Sequence, residues 1–310
     1  MVKTHEIDLQ VFILAVFPCL ENVSIKYYFK TMRTFSTLLA ATAALLLTTL
    51  LTACGGSTGF PPVITAVKPQ SLSYGRTATI YLGGKDLRSS LVVESGGGCT
   101  SPSFGSSSST DTLVLNCLVT VVGDLPLTIK SATGEVIYTT TLSVPKPQVS
   151  IITNKGSFTL ELDLATAPIS VKNFLSYVRG GYYSNTMFHR VIPDFVAQAG
   201  GYTTGLVRKP GQLDPIELES NKGLSNARAT VAMARTNVFN SATSEFYVNL
   251  VDNTFLDYKN AANPGYAVFG TVVQGMDVVD AIATMPTGVF NGSTDVPLTD
   301  ITITMAIQSK

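Results

Sequence analysis

The sequence predicts a mainly β protein in two parts: a small β-sandwich over residues 60–144, then a closed antiparallel β-barrel capped by two α-helices over residues 149–310. Three observations carry this. Short apolar–polar alternating runs recur through residues 60–144 with turn residues between them, and no helical period lasts three turns. Pro145-Lys146-Pro147 then reads as a stiff linker over 145–148. Beyond it, two segments carry a helical period among many strand-like ones, which favours a helix-capped barrel over a parallel sheet.

In chain order, the first 53 residues read as an address. Residues 34–53 form an uncharged stretch of 20 behind Arg33, long enough to span a bilayer. It runs into Leu51-Thr52-Ala53-Cys54-Gly55, which resembles the lipobox of bacterial lipoproteins. The resemblance implies cleavage before Cys54, acylation of Cys54 and a lipidated tether over 54–59. Two or three acyl chains hold a protein on a bilayer where one binds only marginally. Gly55 in place of Asp resembles lipoproteins sorted to an outer membrane, so the expected location is the cell envelope, facing the periplasm. An uncleaved anchor helix is the alternative. Residues 1–31 hold a second apolar patch and several charges, unlike the short basic start of a signal, whereas Met32-Arg33 supplies one; a translation start at Met32 is the expectation.

In the first part, strands are expected at 63–67, 77–82, 91–94, 113–122, 127–130 and 136–144. The segment 95–110 has 11 Gly or Ser among 16 residues and reads as a flexible loop tethered by Cys99. Cys99 and Cys117 are 18 residues apart and, in an exported chain, suit a disulfide; two buried thiols are the alternative. The run from Pro62 to Pro69, then Gly75, then Ile80 to Leu87 resembles the opening of immunoglobulin-like TIG domains, which implies an immunoglobulin-like sandwich.

In the second part, 149–153 and 158–164 read as strands around a Gly-containing turn. Pro168 suits the first turn of a helix that presents Val171, Phe174, Leu175 and Val178 on one face and stops at Gly180-Gly181. A second helix is expected at 276–284. A last strand should put Ile301, Ile303, Met305 and Ile307 on one face. The acidic pair Glu217 and Glu219 reads as a solvated face.

Composition excludes much chemistry. Charged residues make up only 14% of the 310, with 21 basic against 21 acidic, so there is no footprint for nucleic acid. Two His and four Cys leave little for a metal centre, and His189 is the only His outside the leader. No acid or nucleophile stands at triad spacing from it, so a structural hydrogen bond is its expected role. The informative run extends from Phe188 to Gly201: one cation, Arg190, and one amide, Gln198, among apolar and aromatic residues that include Phe195 and Val196.

That run resembles the signature of the cyclophilins, a family of peptidyl-prolyl cis–trans isomerases. Asn173-Phe174-Leu175, Gly223-Leu-Ser-Asn226, Thr230-Val-Ala-Met-Ala-Arg235, Ser244-Glu-Phe-Tyr247, Phe255-Leu256, Tyr266-Ala-Val-Phe-Gly270 and Val273-Gln-Gly-Met-Asp-Val-Val279 follow in family order, so the resemblance runs from residue 149 to 310. It implies a cyclophilin-like barrel with Arg190, Phe195 and Gln198 as the catalytic set. Val196, Tyr247 and Leu256 would line a proline pocket with Phe195. Gln198 would bond the substrate backbone and orient Arg190. The Arg235 backbone would meet the residue before proline, Phe255 and Tyr266 would stand at the rim, and Glu245 would lie next to the pocket.

The chain departs from the family pattern at Val196 (usually Met), Glu245 (usually Gln), Ala199 and Ala229 (usually Gly) and Phe255 (often Trp), while Arg190, Phe195 and Gln198 themselves keep the family residues. Weak cyclosporin binding is expected from the missing indole N–H at Phe255.

The implied function is isomerisation of Xaa-Pro bonds in exported polypeptides by a monomer without a metal or organic cofactor. The reaction moves no proton, so a profile nearly flat between about pH 6 and 8 is expected. A non-catalytic proline-peptide binder or holdase, and an envelope adhesion protein, are the competing readings.

Overall fold

The structure, a computed structural model, describes residues 60–105 and 109–310, which form one compact unit from Phe60 to Lys310. The expected leader, the expected lipidation at Cys54 and the expected tether over 54–59 lie outside the described residues.

The first part has seven strands: β1 (Val63–Ser71), β2 (Thr77–Lys85), β3 (Val92–Glu94), β4 (Cys99–Phe104), β5 (Thr112–Val119), β6 (Gly123–Lys130) and β7 (Val136–Val144). They build two antiparallel sheets, β1-β2-β5-β4 and β3-β6-β7. Period-two burial in β2, β5 and β6 turns Ile80, Leu82 and Leu115 from one sheet, and Leu125, Leu127 and Ile129 from the other, into a shared apolar cluster. Cys99 on β4 and Cys117 on β5 are joined by a disulfide. Closing a loop of that length is worth about 3 kcal/mol in the chain-entropy account. The Gly/Ser-rich segment expected as a loop therefore contains a strand. Phe104, Cys99 and the ladder to β5 outweigh its weak propensity.

The second part begins with β8 (Gln148–Thr153) and β9 (Gly156–Leu162), and continues through helix α1 (Pro168–Arg179), β10 (Thr186–Ile192) and β11 (Val196–Ala199). Short β12 (Tyr202–Thr203) and β13 (Val207–Arg208) precede β14 (Thr230–Met233), β15 (Phe246–Asn249), β16 (Val268–Gln274), helix α2 (Met276–Ala283), the hairpin β17 (Thr287–Phe290) and β18 (Ser293–Pro297), and β19 (Thr302–Gln308). Eight of these strands close an antiparallel barrel in the order β10-β11-β15-β14-β16-β9-β8-β19. Val171, Phe174, Leu175 and Val178 of α1 are all buried on its apolar cluster, with the Phe174 ring 5.1–5.5 Å from those of Phe269, Tyr183 and Phe246.

Two expectations need correction. The first turn of α1 has Pro168 at its start but no capping side chain at Ala167. Glu219, which is buried, supplies the cap from fifty residues away: its carboxylate accepts from the Ile169 N–H at 3.0 Å and from the Ser170 N–H and Oγ at 2.8 Å. An anion there satisfies orphan donors and meets the positive end of the helix dipole. Glu217 is exposed as expected; Glu219 is not part of a solvated face. In β19, a register irregularity between Ile303 and Met305 shifts the alternation. Ile301 and Ile303 are buried, but Met305 and Ile307 turn outward and Ala306 and Gln308 inward.

The two parts are clasped together. Tyr74, in the turn between β1 and β2, belongs to the barrel's apolar cluster. Its carbonyl accepts from Arg179 Nη2 at 2.7 Å and Gln308 Nε2 at 3.0 Å, while Gln308 Oε1 accepts from Arg179 Nε at 3.0 Å. Gly75 beside it is left-handed (φ 68°) and lies so close to the Arg179 guanidinium that any side chain would collide.

Candidate active site

Strand register assembles the site. Arg190 on β10 pairs with Gln198 on β11, Gln198 with Tyr247 on β15, Tyr247 with Ala232 on β14, and Ala232 with Val268 on β16. This single row crosses five strands. Its neighbours in sequence, Val191, Ala197, Phe246, Val248, Val231, Met233 and Phe269, belong to the barrel core. Alternation therefore puts the row on the face turned away from that core.

There Val196, Ala232, Tyr247 and Val268 form a separate apolar cluster, with Phe195, Leu256 and Tyr266 packed against it. Phe195 follows the tight turn after β10, where Asp194 takes a left-handed conformation (φ 57°). Its carbonyl accepts from the Leu250 N–H and from Asn253 Nδ2, both at 2.9 Å, which fixes the ring's base. Phe255 is 60% exposed and stacks on Phe195 with centroids 5.8 Å apart. Tyr266 meets Tyr247 edge-on at 5.9 Å. The Arg235 guanidinium lies 4.6 Å from the Tyr266 ring centre and donates from Nε to the Gly265 carbonyl at 2.9 Å, so that side chain braces the rim.

The half-buried Arg190 stands at the edge of this cluster. Its guanidinium carbon is 5.8 Å from the Phe195 ring centre, and Nη1 donates to Gln198 Oε1 at 3.5 Å, the long end of the hydrogen-bond range. Gln198 Nε2 donates to Glu245 Oε2 at 2.8 Å. The same oxygen lies 3.3 Å from His189 Nε2, and Glu245 Oε1 is 4.0 Å from Arg208 Nη1. Gly201 leaves the space: a Cβ there would sit 2.6 Å from the Glu245 carboxyl carbon. Burial pushes the Glu245 carboxyl up, but hydrogen bonds from His189 and Gln198 and the charge of Arg208 outweigh it, so the group titrates below the ordinary glutamate value.

The structure thus brings Arg190, Phe195, Gln198, Val196, Tyr247, Leu256, Phe255, Tyr266, Arg235 and Glu245 around one apolar slot. Sequence reasoning gave no role to Asn226 and Asp257. Asn226 is fully buried, accepts from the Tyr247 hydroxyl at 2.8 Å and donates from Nδ2 to Asp257 Oδ1 at 3.0 Å. The Tyr247 phenol is pushed well above its ordinary pKa by burial, so it stays a donor. The signal for both was present: Asn226 closes one quoted motif and Asp257 follows another.

A slot of this kind can hold a small apolar ring and place one guanidinium donor beside it. Comparison with known proteins gives the family. Residues 148–307 match the family described as cyclophilin type peptidyl-prolyl cis-trans isomerase/CLD. The chain is similar to peptidyl-prolyl cis-trans isomerase cyp18 of Streptomyces antibioticus, 49% identical over 160 residues, which is 51% of this chain and 96% of the relative. It is 46% identical to peptidyl-prolyl cis-trans isomerase B of Escherichia coli over 157 residues, 50% of this chain and 95% of the relative. A crystal structure of a Cryptosporidium parvum isomerase of cyclophilin type, in the presence of the dipeptide Ala-Pro, covers 53% of this chain and 99% of that one at 27% identity and a TM-score of 0.45. The chain belongs to the cyclophilin-type peptidyl-prolyl cis–trans isomerases.

Proposed function

We propose that this isomerase turns Xaa-Pro bonds of exported polypeptides by offering the Arg190 guanidinium to the prolyl nitrogen as the amide twists. Rotation about a peptide bond meets a barrier of about 18–20 kcal/mol because resonance gives the C–N bond double-bond character. No covalent bond has to break, so the catalyst need only bind the twisted amide more tightly than either planar form. Twisting returns a lone pair to the nitrogen, and a donor aimed there interacts with the twisted state alone. A single preorganised donor of this kind is worth about 10²–10³ in rate.

The observation that carries this reading is Arg190 held by Gln198 and Phe195 at the mouth of the slot built on Val196 and Tyr247. The slot would take the proline ring, Gln198 the substrate backbone, and Arg190 would supply the planar guanidinium donor. Exchange NMR on an Ala-Pro peptide tests it: the full-length protein should speed interconversion, and Arg190→Ala should lower kcat/KM about 10²–10³-fold. Equal rates for the two proteins reject the role of Arg190.

Further proposals concern the rest of the chain. Two antiparallel sheets over one cluster, with a disulfide, support reading residues 60–144 as an immunoglobulin-like sandwich. The lipobox-like run and the apolar stretch before it support acylation at Cys54 and a site of action in the cell envelope. Cys54→Ser should move the protein from the membrane to the soluble fraction; unchanged partition rejects the anchor.

A further inference from the structure

Gln198 has Arg190 at one end of its amide and Glu245 at the other. The two ends of a glutamine amide have nearly the same shape and opposite hydrogen-bonding character. An ionised carboxylate can only accept, so the end of Gln198 that faces Glu245 must be its NH2, and the end that faces Arg190 must be its oxygen. The reverse orientation would set carbonyl against carboxylate and NH2 against guanidinium. We infer that Glu245 is a positioning residue for isomerisation: by accepting from Gln198 it fixes which way that amide points, and so keeps an acceptor turned to Arg190. This rests on the reading of Arg190 as the donor.

His189 closes the arrangement from β10. Its ring is buried against Tyr202, 4.6 Å between centroids, and Nδ1 is buried without a hydrogen-bond partner. An empty acceptor costs less than an N–H with nothing to bond, so a singly protonated ring carries its proton on Nε2, facing Glu245 Oε2. A doubly protonated ring donates from Nε2 as well. Gain or loss of the His189 proton therefore leaves the direction of the chain unchanged. The other cation facing Glu245 is Arg208 from β13.

Only protonation of Glu245 itself creates a donor where Gln198 needs an acceptor. A glutamine at 245 is ambiguous in the same way, because it can present either end. Positioning should then hold across neutral pH and weaken at acid pH.

The experiment compares the full-length parent, Glu245→Gln and Arg190→Ala by exchange NMR on an Ala-Pro peptide between about pH 2.5 and 8, a range that passes through the lowered Glu245 titration, following the side-chain NH2 signals of Gln198 in the parent. Glu245→Gln should lower kcat about threefold to tenfold at pH 7 with KM unchanged, short of the roughly 10²-fold loss for misplacing a catalytic group outright. Its profile should be flat, while the parent's kcat falls toward it below about pH 4.3, the ordinary glutamate value. The Gln198 NH2 signals should shift with the same acid titration, which decides the matter even if the variant does not fold. Parental kcat at every pH in Glu245→Gln, or Gln198 signals indifferent to acid, overturns the inference. A parent no faster than Arg190→Ala defeats the underlying reading of Arg190 instead.

Discussion

On one side of the slot, Glu245 accepts from Gln198, whose oxygen accepts from Arg190. On the other, Asp257 accepts from Asn226, whose oxygen accepts from the Tyr247 hydroxyl. Both are carboxylate–amide–donor chains, and in both the carboxylate dictates which way the amide faces. They differ in how they end. The first ends in a half-buried guanidinium on a single 3.5 Å bond, with spare donors. The second ends in a buried phenol on a 2.8 Å bond, and its amide is also bonded by Asn249 Nδ2 at 3.4 Å. A loosely held cation can transfer its attention to a substrate; a tightly held phenol serves as wall. The same device supplies reach on one side and rigidity on the other.

That contrast can be broken by exchanging losses. Asn226→Ala removes the partner of the Tyr247 hydroxyl, Asn249 and Asp257 at a fully buried position, so it should cost about 3 kcal/mol at 1–3 kcal/mol per stranded group. A drop in melting temperature of about 6–12 °C is expected, with kcat of the folded protein within about threefold of the parent. Gln198→Ala should do the opposite: kcat down about tenfold, melting temperature moved by no more than about 2 °C. If Asn226→Ala loses kcat as Gln198→Ala does, the two sides are not separate in function.

Acid sharpens the comparison. The Asp257 carboxyl also titrates low: burial raises it, but the bonds from Ser225 and from the Asn226 backbone and side chain together outweigh this. Folded values below unfolded ones mean that each carboxylate's contribution to stability is complete above about pH 4.3 and is lost as pH falls through the lower folded value. Thermal melts should therefore show the gap between parent and Asp257→Asn, open at pH 7, closing below about pH 4. A gap that stays constant to pH 3 would contradict the assignment.

The smallest effect expected is a gain. Ala229 holds a left-handed backbone (φ 67°), and its N–H donates to the Asn249 carbonyl at 2.8 Å on the Asp257 side. Ala229→Gly relieves about 1–2 kcal/mol of strain and returns part of it as unfolded-chain entropy, leaving about 0.5–1 kcal/mol of stabilisation in a denaturant titration. A loss of stability there would mean that the methyl group packs usefully.

Much of this was legible in the sequence because it is local. Helix α1 follows from the spacing of Val171, Phe174, Leu175 and Val178 behind Pro168, and the catalytic set sits in one continuous motif. What was not legible is long-range pairing. Glu219 looks like any loop carboxylate until the fold sets it on the α1 terminus fifty residues away. The inward turn of Gln308 depends on one irregular position in β19, which reverses everything after it. The strand Cys99–Phe104 is hidden by glycine and serine because its support comes from β5, not from its own residues. The partners of His189 and Glu245 were missed for the same reason: they meet through the register of β10, β11 and β15.

The clasp of Tyr74 by Arg179 and Gln308 bears on how the two parts move. A short proline segment alone, even a stiff one, holds the two parts at a single point. Gln308 pairs with Val149, so the clasp lies close to where that segment enters the barrel and adds a second hold there, on the Tyr74 turn. The seven-stranded part and the barrel then turn as one body rather than as two beads on a string.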